Sequence, residues 1–246
     1  MARSFDMLFA IACYFIFFAT FLYLIGFVAD FVLLSHSVDS GPVGSAGLAL
    51  AVDIALIALF GVQHSVMARQ GFKAAWTRIV PPPIERSVYV LFASLVLIIM
   101  FSFWRPIPAI VWQVDNVIGA TLIWTVFGIG WLMVLLSTFL ISHFELFGLK
   151  RAMLHLLQRP AQGPQLRQPF FYKLMRHPLY SGFLLAFWAT PLMTVGHLLP
   201  AVGMTIYILI AIRYEERDLV ALFGADYRDY QRNVGMLAPR RRRRVG

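Results

Sequence analysis

Long apolar runs separated by short polar stretches organise this chain. A helix needs about 20 apolar residues to cross the hydrocarbon core of a membrane. Residues 7–34, 48–68, 87–104 and 117–141 are such runs, the first interrupted only by Asp30 near its end. The first run is too long for the central region of a signal peptide and no small-residue cleavage site follows it, so it reads as a retained helix. The stretch 142–178 carries charge, proline and glycine and does not span. Two shorter runs follow, 179–195 and 198–212, separated by Gly196 and His197. At about 1.5 Å per residue they reach roughly 22–26 Å, short of a core about 30 Å thick, and predict a short helical hairpin. From residue 213 onward the chain is polar. The pattern predicts an all-α, polytopic membrane bundle forming a single membrane domain. It has four long transmembrane helices in 1–141, a cytoplasmic connection 142–178, a membrane hairpin 179–212 and a tail 213–246 with a cytoplasmic helix.

Composition sharpens this picture. The chain of 246 residues is 60% hydrophobic and 13% charged, with a mean hydropathy of +0.74. Soluble domains are roughly half apolar and about a quarter charged, so a water-soluble globule is excluded. Cys13 is the single cysteine, which excludes a disulfide scaffold. The net charge of +9 raises the question of an acidic partner, and its placement answers it. Of the 21 Lys and Arg residues, only Arg105 falls in the alternate connections; the others lie at the amino terminus, in the second-to-third connection, in 142–178 and in the tail. By the positive-inside rule this gives six segments with both termini cytoplasmic. No nucleic-acid partner is needed to explain the charge. The basic run 240–244 reads as an orientation signal or a lipid-headgroup contact. No internal repeat marks an inverted-repeat transporter, and the pattern fixes no oligomeric state.

Ionisable groups in or beside membrane spans are costly and point to function. Gln63 and His64 end the second span, Glu85 and Arg86 precede the third, His143 and Glu145 follow the fourth, Arg176 and His177 precede the hairpin, and Arg213, Glu215 and Glu216 leave it. All fall at one depth on one side, whereas Asp30, Asp53 and Asp115 belong to the other half. This predicts a polar pocket open to the cytoplasm over an apolar floor, not a continuous polar path. Each residue also has a plainer role open to it: a histidine at a helix end can cap, Glu85 and Arg86 can be solvated, and Asp53 can serve packing by pairing with a neighbouring backbone or with Asp30.

Arg176-His177-Pro178-Leu179-Tyr180-Ser181-Gly182 has the form R-H-P-x-Y-x-G. Proline suits a first helical turn because its missing N–H is unneeded there. Tyr180 lies one turn from Arg176 and His177 and shares their face. Gly182 leaves room for a ligand or a helix. Arg213-Tyr214-Glu215-Glu216-Arg217-Asp218-Leu219 has the form R-x-E-E-x-x-L and is followed by Phe223-Gly224, Tyr227 and Tyr230. Tyr227 and Tyr230 share a helical face on which an adenine could rest. A carboxylate such as Glu215 or Glu216 can accept both hydroxyls of a ribose.

These two stretches, in this order and bracketing a short hairpin, resemble the membrane methyltransferases of the isoprenylcysteine carboxyl methyltransferase and phospholipid N-methyltransferase superfamily. Residues 60–68 and 142–149 look like the subgroup that contains bacterial methanethiol S-methyltransferases, together with membrane proteins associated with nitrogen-oxide reduction. The resemblance covers nearly the whole chain. It implies S-adenosylmethionine as cofactor, held on the cytoplasmic side by Arg176, His177, Tyr180, Gly182, Arg213, Glu215, Glu216, Tyr227 and Tyr230. It implies methylation of a small thiol, methanethiol, to dimethyl sulfide.

Such a transfer is an in-line displacement with no covalent enzyme intermediate. It requires sulfur and methyl about 3–3.5 Å apart and help in removing the thiol proton. His64 and His143 are the candidate bases, with Glu145 orienting or charging one of them and Arg86 stabilising the thiolate. Phe60, Phe144 and Phe147 are candidates to line an apolar thiol pocket. A zinc site of His64, His143 and His177 is the competing idea. There is no H-E-x-x-H, no Cys ligand and no pair of histidines at helical spacing, so no metal is expected. Two other functions stay open: methylation of a lipid-borne prenylcysteine carboxylate or amine headgroup, and a non-enzymatic role with small nitrogen compounds.

Overall fold

The computed structural model describes residues 2–160, 163 and 165–240. It is an all-helical polytopic bundle, as the pattern predicts, and the chain is an integral membrane protein. Among the described residues, five helices are long and apolar enough to cross a bilayer: α1 (Ala2–Val28), α2 (Ala46–Ala68), α4 (Glu85–Phe103), α5 (Val117–Ile141) and α9 (Val195–Phe223). Between them lie α3 (Gln70–Trp76), α6 (His143–Leu146), α7 (Leu149–Leu156), a 3-10 turn (Phe170–Lys173) and α8 (Pro178–Trp188); α10 (Ala225–Asn233) follows. Two short strands, β1 (Ile110–Gln113) and β2 (Leu192–Thr194), pair antiparallel.

Local chemistry starts these helices. The Asn116 side chain accepts the Gly119 N–H at 2.7 Å and caps α5. Pro178 is the first residue of α8. The hairpin differs from its expected shape. Its first arm, α8, has 11 residues and spans only about 16 Å. Its second arm is not short: α9 has 29 residues, takes in Gly196, His197 and Pro200, and carries the helix past Arg213 to Phe223. The polar pair Gly196-His197 marks the first turn of this helix and not the turn before it. Thr194 explains why, since its Oγ1 accepts the His197 N–H at 2.9 Å and caps the helix start. Gly196 also donates its N–H to Ile107 O at 3.0 Å, in a position where a Cβ would meet the Ile107 backbone at 2.8 Å.

The described residues form two compact units. Unit 1 comprises Met1–Gln113, His143–Gln162 and Leu192–Met204; unit 2 comprises Val114–Ser142, Gly163–Pro191 and Thr205–Gly246. In unit 1, α1 and α2 pack on α4, and α7 packs on α1. Two of the three carboxylates read from the sequence as lying in the outer half, Asp53 and Asp30, serve structure. Asp53, fully buried, accepts the Arg105 N–H at 3.0 Å, and Asp30 accepts hydrogen bonds from Ser37 and Ser40. In unit 2, α5 and α8 meet glycine to glycine: a Cβ at Gly182 would lie 2.7 Å from Gly130 O, and one at Gly130 would lie 2.8 Å from Gly182 O. Backbones approach this closely in membranes when small residues face each other. Of the basic run 240–244, only Arg240 is among the described residues.

Candidate functional site

Unit 2 brings the two signature stretches together. Pro178 opens α8 directly after Arg176 and His177, while Glu215 and Glu216 ride on the polar end of α9. Arg176 Nε donates to Glu216 Oε1 at 2.7 Å, and His177 Nε2 lies 3.0 Å from the same oxygen. Gln231 of α10 donates to Glu216 Oε2 at 2.8 Å. Tyr180 donates to Glu215 Oε2 at 3.0 Å, and the His177 Nδ1 is 4.0 Å from that oxygen. The tail closes the network from the other side. Arg176 Nη1 donates to the carbonyls of Gln231 and Val234, the backbone N–H groups of Arg176 and His177 donate to Gly235 and Met236, and Ser181 Oγ donates to Leu237 O at 2.7 Å.

The two carboxylates differ in access. The Glu216 side chain is 15% exposed and saturated with donors, whereas the Glu215 side chain is 45% exposed. Arg213 is exposed one turn before them. Gly182 is buried against α5, so helix contact accounts for its missing side chain. Tyr227 and Tyr230 are buried, and Tyr230 donates to Tyr172 O at 2.5 Å. Burial holds all three phenols above their ordinary pKa, that of Tyr230 at about 12. The two α10 tyrosines therefore anchor the tail with buried rings in place of an open stacking face. Gln231 and Tyr172 belong to this network and carry no sequence signal beyond lying near the motifs. An open, apolar groove of about 610 Å³ runs along α8, lined by Met133, Ser181, Leu185, Trp188 and Leu237 among others. Its lining suits hydrocarbon and not a charged cofactor.

Unit 1 holds the other candidates. His143, at the start of α6, is buried, and its Nε2 lies 2.8 Å from the hydroxyl of Tyr14 on α1. Phe144 and Phe147 pack around it with ring centroids at 5.4 and 4.9 Å, and Phe17 stacks on Phe147 at 3.9 Å. Burial pushes the His143 pKa below its ordinary value. Gly148 turns the chain out of this corner at φ +90°, where a Cβ would lie 2.8 Å from the Ser87 nitrogen. Glu145 accepts from Lys150 at 2.9 Å. His64, half-buried on α2, stacks on Phe60 at 5.2 Å and lies 4.9 Å from the Tyr89 ring. Arg86 is half-buried beside Glu85, which is 5% exposed and lies 3.9 Å from Arg151. Among the described residues no group of three metal-ligating side chains converges. In unit 1, sequence reasoning missed Tyr14, the polar group that α1 aims at His143.

The chain is a helical polytopic bundle whose two carboxyl-terminal signatures lock into one ion-pair network, and its relatives give the class, a membrane methyltransferase. The methanethiol S-methyltransferase of Pseudomonas deceptionensis is 55% identical over 210 residues, covering 85% of this chain and 80% of its own length. Methanethiol S-methyltransferase 1 of Bradyrhizobium diazoefficiens is 51% identical over 235 residues, 96% of this chain and 82% of its own. The Mycobacterium tuberculosis methanethiol S-methyltransferase is 48% identical over 239 residues, 97% of this chain and 98% of its own. The chain belongs to the methanethiol S-methyltransferase family. No family model matches it, and neither does any solved structure.

Proposed function

We propose that the protein transfers a methyl group from S-adenosylmethionine to methanethiol, giving dimethyl sulfide and S-adenosylhomocysteine. Membership of the family supports the reaction class and the acceptor. The observation that carries the donor site is the interlock of the two signatures on Glu216, which leaves Glu215 and Tyr180 presented at its edge. In this reading Glu215 accepts the ribose hydroxyls, Tyr180 fixes the Glu215 carboxylate, and Arg176, His177 and Glu216 hold the frame. Arg213 supplies a positive charge for the donor's carboxylate, Gly182 brings α8 close to α5, and Tyr227 and Tyr230 clamp the tail. His143 or His64 takes the thiol proton, Arg86 stabilises the thiolate, and Glu145 sets local charge.

The reading also puts both termini and the site in the cytoplasm, in a bacterial inner membrane. The placement of Lys and Arg supports this, because all but Arg105 lie at the amino terminus, in the second-to-third connection, in 142–178 and in the tail. The test is a pair of measurements on purified protein in detergent. Calorimetry with S-adenosylhomocysteine is expected to show saturable binding, and headspace analysis is expected to show dimethyl sulfide from methanethiol and S-adenosylmethionine. Absence of binding removes every methyltransferase role for the site. Binding with transfer only to a prenylcysteine or amine headgroup replaces the acceptor.

A further inference from the structure

A thiol must lose its proton as its sulfur attacks, and a buried histidine is poorly placed to meet that proton directly. His143 is only 7% exposed. The phenol bonded to its Nε2, Tyr14, is half-buried on α1 and is the more accessible of the two. Phe144 packs edge-on against His143, and the stacked pair Phe17 and Phe147 completes an aromatic wall beside the Tyr14 ring, with Tyr14 and Phe147 centroids 6.3 Å apart. Aromatic faces of this kind attract a polarisable sulfur and keep water away. Among the charged groups of α1, α4, α6 and α7, Asp6 lies 3.5 Å from His155, Glu85 3.9 Å from Arg151 and Glu145 2.9 Å from Lys150, and Arg86 is half-buried beside Glu85.

We propose that Tyr14 is a further catalytic residue, which meets the thiol and relays its proton to Nε2 of His143. The proposal rests on the methanethiol reading above. In the step, the S–H proton passes to the Tyr14 oxygen while the hydroxyl proton of Tyr14 passes to His143 Nε2. The sulfur electron pair forms the new S–CH3 bond. The sulfonium C–S bond breaks, and its electron pair stays on the sulfur of S-adenosylhomocysteine. Tyr14 ends neutral, as it began, and the proton rests on His143 until water removes it.

Imidazole is too weak a base to strip an alkyl thiol beforehand, but the sulfur becomes strongly acidic as the S–CH3 bond forms, so a concerted relay suffices. Burial lowers the His143 pKa and so favours the neutral ring that can accept the proton.

Tyr14→Phe keeps the ring and removes the relay. Dimethyl sulfide formation is expected to fall about 10²-fold near pH 7, with S-adenosylhomocysteine affinity within about twofold of wild type. The deficit is expected to shrink as pH rises toward the pKa of the thiol, because a preformed thiolate needs no relay. The double variant Tyr14→Phe/His143→Gln is expected to be no slower than the worse single variant. In wild-type protein, rates in mixtures of light and heavy water are expected to follow a curved inventory, since two protons move together. An unchanged rate in Tyr14→Phe, a deficit constant with pH, multiplicative losses in the double variant or a linear inventory each overturns the relay. If wild-type protein binds S-adenosylhomocysteine yet makes no dimethyl sulfide, the methanethiol reading fails and takes the relay with it. If wild type turns over and the signatures are missing, the relay alone falls.

Discussion

Two buried histidines sit in opposite chemical settings. His143 of unit 1 is 7% exposed and His177 of unit 2 is 4% exposed. Each ring has a side-chain partner near hydrogen-bond distance, Tyr14 at 2.8 Å for one and Glu216 at 3.0 Å for the other. Around His143 the neighbours are a phenol and phenylalanine rings. Around His177 they are two carboxylates, with the Arg176 guanidinium on the same Glu216 oxygen. A phenol and aromatic rings let an imidazole change its protonation during a reaction. A lattice of hydrogen bonds commits the imidazole to holding its neighbours, because displacing the ring would unsettle every pair in the lattice.

The comparison can be broken in steps. Glu216→Ala is expected to have the largest effect, since it strands Arg176, whose side chain is only 11% exposed, together with His177 and Gln231. Breaking a buried pair costs about 3–5 kcal/mol. Thermal unfolding in detergent should register that loss, with S-adenosylhomocysteine binding abolished; a stability equal to wild type would deny the network its structural role.

His143→Gln is expected to give the reverse profile: turnover lowered about 10²-fold by the headspace assay, with melting temperature and donor affinity nearly unchanged. Gly182→Ala forces a methyl group against the α5 backbone and is expected to cost about 1–3 kcal/mol of stability, with donor affinity intact in the protein that remains folded. A loss of affinity without loss of stability would return Gly182 to the ligand. Glu215→Gln, which keeps shape and removes charge, is expected to weaken S-adenosylhomocysteine about tenfold by calorimetry while leaving turnover at saturating donor close to wild type.

The smallest effect concerns pH. Burial lowers the pKa of His143, so the folded protein resists the proton that a free imidazole accepts at about 6.5. Turnover is therefore expected to hold steady through neutral pH and to decline only below about 6.5, as His143 becomes protonated. A decline centred above that value would point to a different base.

Much of the fold was legible along the chain. The four amino-terminal runs became α1, α2, α4 and α5 with small shifts in their ends, because a stretch of apolar side chains declares its membrane preference without reference to other segments. The hairpin was less legible. Gly196 and His197 read as a break, yet Thr194 and the backbone of Ile107 satisfy the helix end there, and no local pattern announces a partner so remote in sequence. The motif residues were legible as a group but not as individual roles. Glu215 and Glu216 look alike in sequence, and only their neighbours separate the exposed carboxylate from the saturated one.

By itself the sequence determined the membrane class, the number of long apolar helices in its first half and the two motif stretches that meet at Glu216, since hydropathy and short-range spacing are local properties. Tertiary structure alone decided that Gly182 faces a helix, that Tyr227 and Tyr230 are buried anchors, and that Tyr14 meets His143 across 129 positions of chain. Those facts depend on which surfaces come together when helices pack. A contact between distant residues leaves no period, composition or spacing behind it in a single chain.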